Sequence, residues 1–152
     1  MTTRAVFDCM LFLQAATSDA GPAFACFRLV DAGRVTLCVS PEVLAEVGDV
    51  LGRPALRRKF PSLTAERVAE FLESVRAGGM VLDDVPRAFP LARDPDDEPY
   101  VNLAIAAGAR YLVSRDRDLL DLMADPEFRA RYPDLAILDP VAFLRELATP
   151  AG

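Results

Sequence analysis

Ala5-Val6-Phe7-Asp8 and Tyr111-Leu112-Val113-Ser114-Arg115-Asp116 share one form: three apolar residues, then an acid either at once or after two residues. A short apolar run closed by a polar residue reads as a buried strand reaching the edge of its sheet. Val35-Thr36-Leu37-Cys38-Val39 adds a β-branched run of the same kind, and residues 80–82 and 135–138 supply two more short candidates. Helical signals fill the gaps. Residues 11–16 and 23–30 are punctuated by Gly21-Pro22, and Ser40-Pro41-Glu42 places an N-cap and a first-turn proline before a helix running to about Leu51. Thr64-Ala65-Glu66 opens another, with Val68, Phe71, Leu72 and Val75 at helical spacing and Gly78-Gly79 at its end. An alanine-rich helix at 101–107 is closed by Gly108, and residues 117–123 and 141–147 complete the set. Residues 83–99, rich in acids and holding four of the twelve prolines, read as a loop. Strands alternating with helices predict an α/β fold, a three-layer sandwich with a mostly parallel central sheet, as one domain over residues 1–152.

Composition narrows the chemistry. The chain has 152 residues, 52% of them hydrophobic, enough for a sizeable core. It contains no histidine, which excludes Ser-His-Asp triads, histidine-bound zinc and imidazole acid–base catalysis. Cys9, Cys26 and Cys38 form no Cys-x-x-Cys pair, and an odd, scattered set suits a reducing compartment. With 23 acids against 17 bases the net charge is −6, so a general cationic coat for nucleic acid is absent. No stretch has the roughly 20 apolar residues of a membrane span, and the N-terminus meets an acid too early for a signal peptide. The expectation is a cytoplasmic protein.

Ligands of open α/β sheets bind beyond the carboxyl ends of the strands. Asp8 and Asp116 meet there if their strands are neighbours. Glu46 lies on the helix after the second strand, beside its apolar face, while Glu42 points to solvent. Asp97 stands where the acidic loop enters the next helix. Each has a plainer reading: Asp97 and Asp116 as N-caps, Glu46 as a solvated helix residue, Asp8 as an Asx-turn. Together they form a cluster of carboxylates without Lys or His partners, and a hard divalent cation relieves their repulsion. Oxygen-only ligands favour Mg²⁺ or Mn²⁺ over zinc, and such ions activate water against a phosphodiester.

Four segments then carry a family resemblance: Ala5-Val6-Phe7-Asp8-Cys9, Ser40-Pro41-Glu42-Val43-Leu44-Ala45-Glu46-Val47, Arg93-Asp94-Pro95-Asp96-Asp97-Glu98, and residues 111–120 from Tyr111 to Leu120. In order and spacing they resemble a PIN-domain nuclease, of the VapC-like kind described as the toxin of a toxin–antitoxin pair. The resemblance implies a Mg²⁺- or Mn²⁺-dependent ribonuclease with Asp8, Glu46, Asp97 and Asp116 as its acidic quartet, Asp118 as an accessory acid, and Ser114 as the small hydroxyl residue before the last acid. It also implies an RNA substrate and a small antitoxin as partner. Asp94, Asp96 and Glu98 compete with Asp97 for the third position. One position departs: the family commonly has Asn two residues after the first acid, and this chain has Met10, whose thioether is a poor partner for Mg²⁺.

Arg53-Pro54-Ala55-Leu56-Arg57-Arg58-Lys59 holds four positive charges and no acid. Arg53, Arg57, Arg58 and Lys59, with Ser114, are candidate contacts to nucleic acid; the plainer reading of the run is a solvated loop. Phe12, Phe24 and Phe27 read as core, Cys9 and Cys38 as small buried hydrophobes, and the Val68–Val75 face as core before antitoxin groove or homodimer surface. A receiver-type signalling domain also gathers acids at strand ends but needs a lysine there, and Lys59, the sole lysine, is elsewhere. A catalytically silent PIN-like binding module is the remaining alternative, with Met10 as its main support.

Overall fold

The computed structural model describes residues 2–91 and 95–148. Among these, five strands form one sheet: β1 (Thr3–Phe7), β2 (Val35–Val39), β3 (Met80–Val81), β4 (Tyr111–Val113) and β5 (Ala136–Leu138), in the order β3-β2-β1-β4-β5. Every pairing is parallel. The chain steps outward from β1 to β2 and β3, then crosses back to lay β4 on the other side of β1. The reversal of strand order therefore falls between β1 and β4. Their register sets Phe7 opposite Val113, so Asp8 and Ser114 leave the sheet side by side, with the Asp8 amide donating to Val113 O at 3.1 Å.

Helices cover both faces. The first face is packed by α1 (Cys9–Thr17), α2 (Pro22–Asp31), α5 (Ala65–Gly78) and α9 (Pro140–Ala148). Phe7 points into it, meeting Phe27 at 5.2 Å and Phe143 at 5.9 Å edge to face, and Phe12 extends the cluster to Phe71. Edge-to-face pairs of this kind add about 0.5–1.5 kcal/mol each to ordinary burial. Strand alternation sends Val6 and Leu112, both fully buried, to the opposite face. There α6 (Glu98–Ala107) lies across β1, β2 and β4. Phe128 of α8 (Pro126–Arg131) continues that layer with Phe89 at 5.0 Å.

Local grammar explains the helix ends. Ser40 caps α3 (Pro41–Leu51) by accepting from the Val43 amide, and Thr64 caps α5 from the Arg67 amide. Gly108 closes α6 at φ 61°, a left-handed turn that disfavours a Cβ. The structure departs from the sequence readings at four places. The first helix starts at Cys9 rather than residue 11, because Asp8 is its N-cap and not an isolated Asx-turn. The sixth begins at Glu98, inside the stretch read as loop, because Pro99 in a first turn has no N–H that the helix needs. The basic run is not a solvated loop: Pro54–Lys59 forms the short helix α4. And α8 went unread, although Asp125-Pro126-Glu127 repeats the cap-and-proline signal of Ser40-Pro41-Glu42.

The aromatic expectations hold for Phe12 and Phe27, while Phe24 is half-buried. Val68 and Val75 are buried, and Phe71 and Leu72 pack against the core. Cys38 is buried as expected but Cys9 only half so. Among the described residues, no helix is long and apolar enough to cross a membrane.

Gly79 sits where the end of α5 meets β2. A Cβ there would lie 2.6 Å from Leu37 O and 2.9 Å from Val75 O, both backbone atoms that cannot swing aside. Gly79→Ala is expected to cost about 1–3 kcal/mol by overpacking β2 against the end of α5. Urea unfolding should show this as a lower midpoint at unchanged slope.

Candidate active site

Asp8 is the centre of the site. It is 2% exposed, and its carboxylate accepts from the Leu11 amide at 3.2 Å and from the Ser114 hydroxyl. Ser114, fully buried, accepts in turn from the Asp116 amide at 2.9 Å, and the Asp116 carboxylate accepts from the Asp118 amide at 2.8 Å. The turn after β4 is thus wired to the end of β1. Asp116 is also the N-cap of α7 (Arg117–Leu120). Burial pushes the Asp8 carboxyl up to about 6; the Ser114 hydrogen bond works against that rise and the nearby Asp116 charge adds to it. Ser114 cannot also serve as a surface contact to nucleic acid: it is enclosed, and its hydroxyl is committed between two acids.

A cavity of about 190 Å³ opens beside this network. Asp8, Asp97 and Asp116 line it together. Asp97 sits at the N-cap position of α6 without making a capping bond, so the plainer reading of it as a cap fails. Glu98 is drawn elsewhere: it accepts from Arg87 at 2.8 and 2.9 Å and from the Leu91 amide at 2.8 Å, bracing the segment that leads into α6. Asp96 is exposed. Asp94, with Arg93, lies outside the described residues.

Glu46 stands apart from the three aspartates. It is half-buried on α3, as its helical position predicted, but it does not line the cavity. Its carboxyl is raised, chiefly by burial and then by Asp96 and Glu42. The Cys9 thiol and the Tyr100 hydroxyl are its neighbours, with Arg53 also within electrostatic range. Burial pushes the Cys9 thiol up to about 11, so it is a neutral group there. Of the basic run, Arg53 is the member that faces the acids; Arg57, Arg58 and Lys59 are exposed along α4. Asp118 is half-buried and contributes its amide to Asp116.

Three lining residues escaped the sequence reading as site residues: Cys9, Gln14 and Arg115. Gln14 is the polar residue of an otherwise apolar helical run, four residues after Met10 and so on the same face of α1, which was the available signal. Met10 itself is 47% exposed at the cavity. Arg115 is exposed between Ser114 and Asp116.

Among the described residues, no three acidic or cysteine side chains converge closely enough to hold one ion as they stand. The chemistry nonetheless fits a hard ion. The acidic ligands are oxygen donors, the Asp8 carboxylate is held nearly dry, and the buried Gln14 Oε1 on the same wall has no hydrogen-bond partner.

Comparison with known proteins bears on the family and the fold. A profile of the PIN domain family matches residues 4–118. The chain belongs to the PIN domain family. Members of that family are nucleases. Two solved structures share the fold of this PIN domain. VapBC2 from Rickettsia felis, bound to a DNA fragment from its promoter, superposes with a TM-score of 0.57 at 15% identity, covering 90% of this chain and 98% of that one. PAE2754 from Pyrobaculum aerophilum gives 0.53 at 19% identity, covering 97% of each chain. No curated protein sequence matches this PIN domain.

The raised Asp8 carboxyl has a thermodynamic consequence. Its folded value of about 6 exceeds the ordinary 3.8, so its contribution to stability is fully present below pH 3.8 and is lost as pH rises through 6. In chelator at pH 7, Asp8→Asn should therefore melt above wild type, by on the order of 1–3 kcal/mol, and the gap should close toward pH 4. Asn retains the N-cap. Thermal melts across that pH range check it; a variant less stable at pH 7 would mean that the two hydrogen bonds outweigh burial.

Proposed function

We propose that this PIN domain is a metal-dependent endoribonuclease, the toxin of a toxin–antitoxin pair, acting as one domain. The observation that carries the reading is that Asp8, Asp97 and Asp116 line one cavity at the β1/β4 reversal, with Ser114 tying two of them together. Asp8, Asp97 and Asp116 would hold Mg²⁺ or Mn²⁺, with Glu46 as the fourth acid and Asp118 behind Asp116. The bound ion would supply charge for a phosphodiester oxygen and an acidified water.

The chain's own residues do the rest. The Leu11 amide and Ser114 hydroxyl fix both oxygens of Asp8, so its orientation is set before substrate arrives. Arg115 at the cavity and Arg53 near Glu46 offer charges to backbone phosphates on either side of the acids. Arg57, Arg58 and Lys59 extend that charge along α4, as a strand of single-stranded RNA requires. The likeness to VapBC2 supports an antitoxin partner. One argued from charge would place a cationic side chain in the acid cavity and acids against α4.

One observation favours a silent binding module instead: Met10 presents a thioether at the cavity. Purified protein with single-stranded RNA separates the two. Cleavage with Mn²⁺ or Mg²⁺ that stops in chelator, and falls about 10²–10³-fold in Asp8→Asn and Asp116→Asn, is expected. Intact RNA under both metals would favour the silent module. Growth arrest on expression alone, relieved by Asp8→Asn, is the expected cellular counterpart.

A further inference from the structure

Tyr100 carries a buried hydroxyl between α1, α3 and α6. The residue is fully buried on α6, and its oxygen makes no hydrogen bond. An enclosed hydroxyl without a partner weakens a fold relative to phenylalanine, which fills the same space. Two groups lie beside that hydroxyl: the Glu46 carboxylate of α3 and the Cys9 thiol of α1. Sulfur is a weak acceptor, whereas a carboxylate is a strong one.

The three elements meet at this point. α3 packs against both α1 and α6, so the backbone of Glu46 is fixed relative to Asp8 and Asp97. What the helix packing does not fix is the side-chain rotamer of Glu46. That is the one acid of the proposed quartet that does not line the cavity.

We propose that Tyr100 is a positioning residue, whose hydroxyl holds the Glu46 carboxylate in the orientation that joins it to Asp8, Asp97 and Asp116 around a divalent cation. This rests on the reading of Glu46 as the fourth acid. A hydroxyl in that role orients a ligand without touching the metal, and removal of such a partner costs about 10–100-fold in metal affinity or activity.

Tyr100→Phe removes the hydroxyl alone. In chelator the variant should melt at or above wild type, because an orphaned buried group has gone. Its affinity for Mn²⁺, read by calorimetric titration of the full chain, should fall about tenfold or more, and kcat on RNA should fall with KM unchanged. Glu46→Gln with Tyr100→Phe should bind Mn²⁺ no more weakly than Glu46→Gln alone, since the hydroxyl acts through that carboxylate. Mn²⁺ binding that is lost in Asp8→Asn but unchanged in Tyr100→Phe overturns the Tyr100 assignment and spares the metal site. Losses that add fully in the double variant overturn it too. Mn²⁺ binding unchanged in Asp8→Asn and Tyr100→Phe alike overturns both readings.

Discussion

The hydrogen bond from the Ser114 hydroxyl to the Asp8 carboxylate is the contact on which the site depends. It spans 106 positions of sequence and closes at the boundary between β1 and β4. It forms because the parallel register sets Phe7 opposite Val113, so the next residue of each strand emerges at the same height. A slip of one residue would turn Asp8 toward the other face of the sheet. The aromatic cluster around Phe7 opposes that slip, since Phe7 would lose its edge-to-face partners Phe27 and Phe143.

Three of the acids share a second feature. Asp8, Asp97 and Asp116 occupy the N-cap positions of α1, α6 and α7. Amide N–H groups at helix starts present partial positive charge, which favours carboxylates there. Capping amides thus offset part of the cost of placing Asp8 and Asp116 at one cavity before any cation binds. The plain structural role of Asp8 and Asp116 as caps and their candidate chemical role are therefore one arrangement.

The fold was largely legible because its signals are local. Apolar runs ending in acids marked β1 and β4, and Ser40-Pro41 and Thr64 marked helix starts, all visible within a few residues. The basic run misled because Pro54 reads as a breaker as easily as a first-turn residue, and charge says nothing about backbone. Asp8, Asp97 and Asp116 line one cavity, at the strand ends and helix start where the sequence put them. Glu46 could be placed on the correct side of its helix but not at its distance from the cavity, which depends on how α3 seats against α1 and α6. Tyr100 and Gln14 were hidden for a related reason: a polar tip on a buried side chain gains meaning only from the groups that packing sets beside it.

The central position of β1 also fixes an order of events during synthesis. Its first neighbour, β2, is made within 40 residues, but β4 follows only after residue 110. Contacts so distant in sequence form late, because the entropy of closing the loop must be overcome before they hold. Until β4 docks, Asp8 lacks Ser114 and Asp116, and the cavity has no far wall. A chain emerging from the ribosome, with abundant RNA around it, therefore carries an unfinished acidic centre until β4 has been made. The topology itself delays completion of the acidic centre until the crossover back to β4 is made.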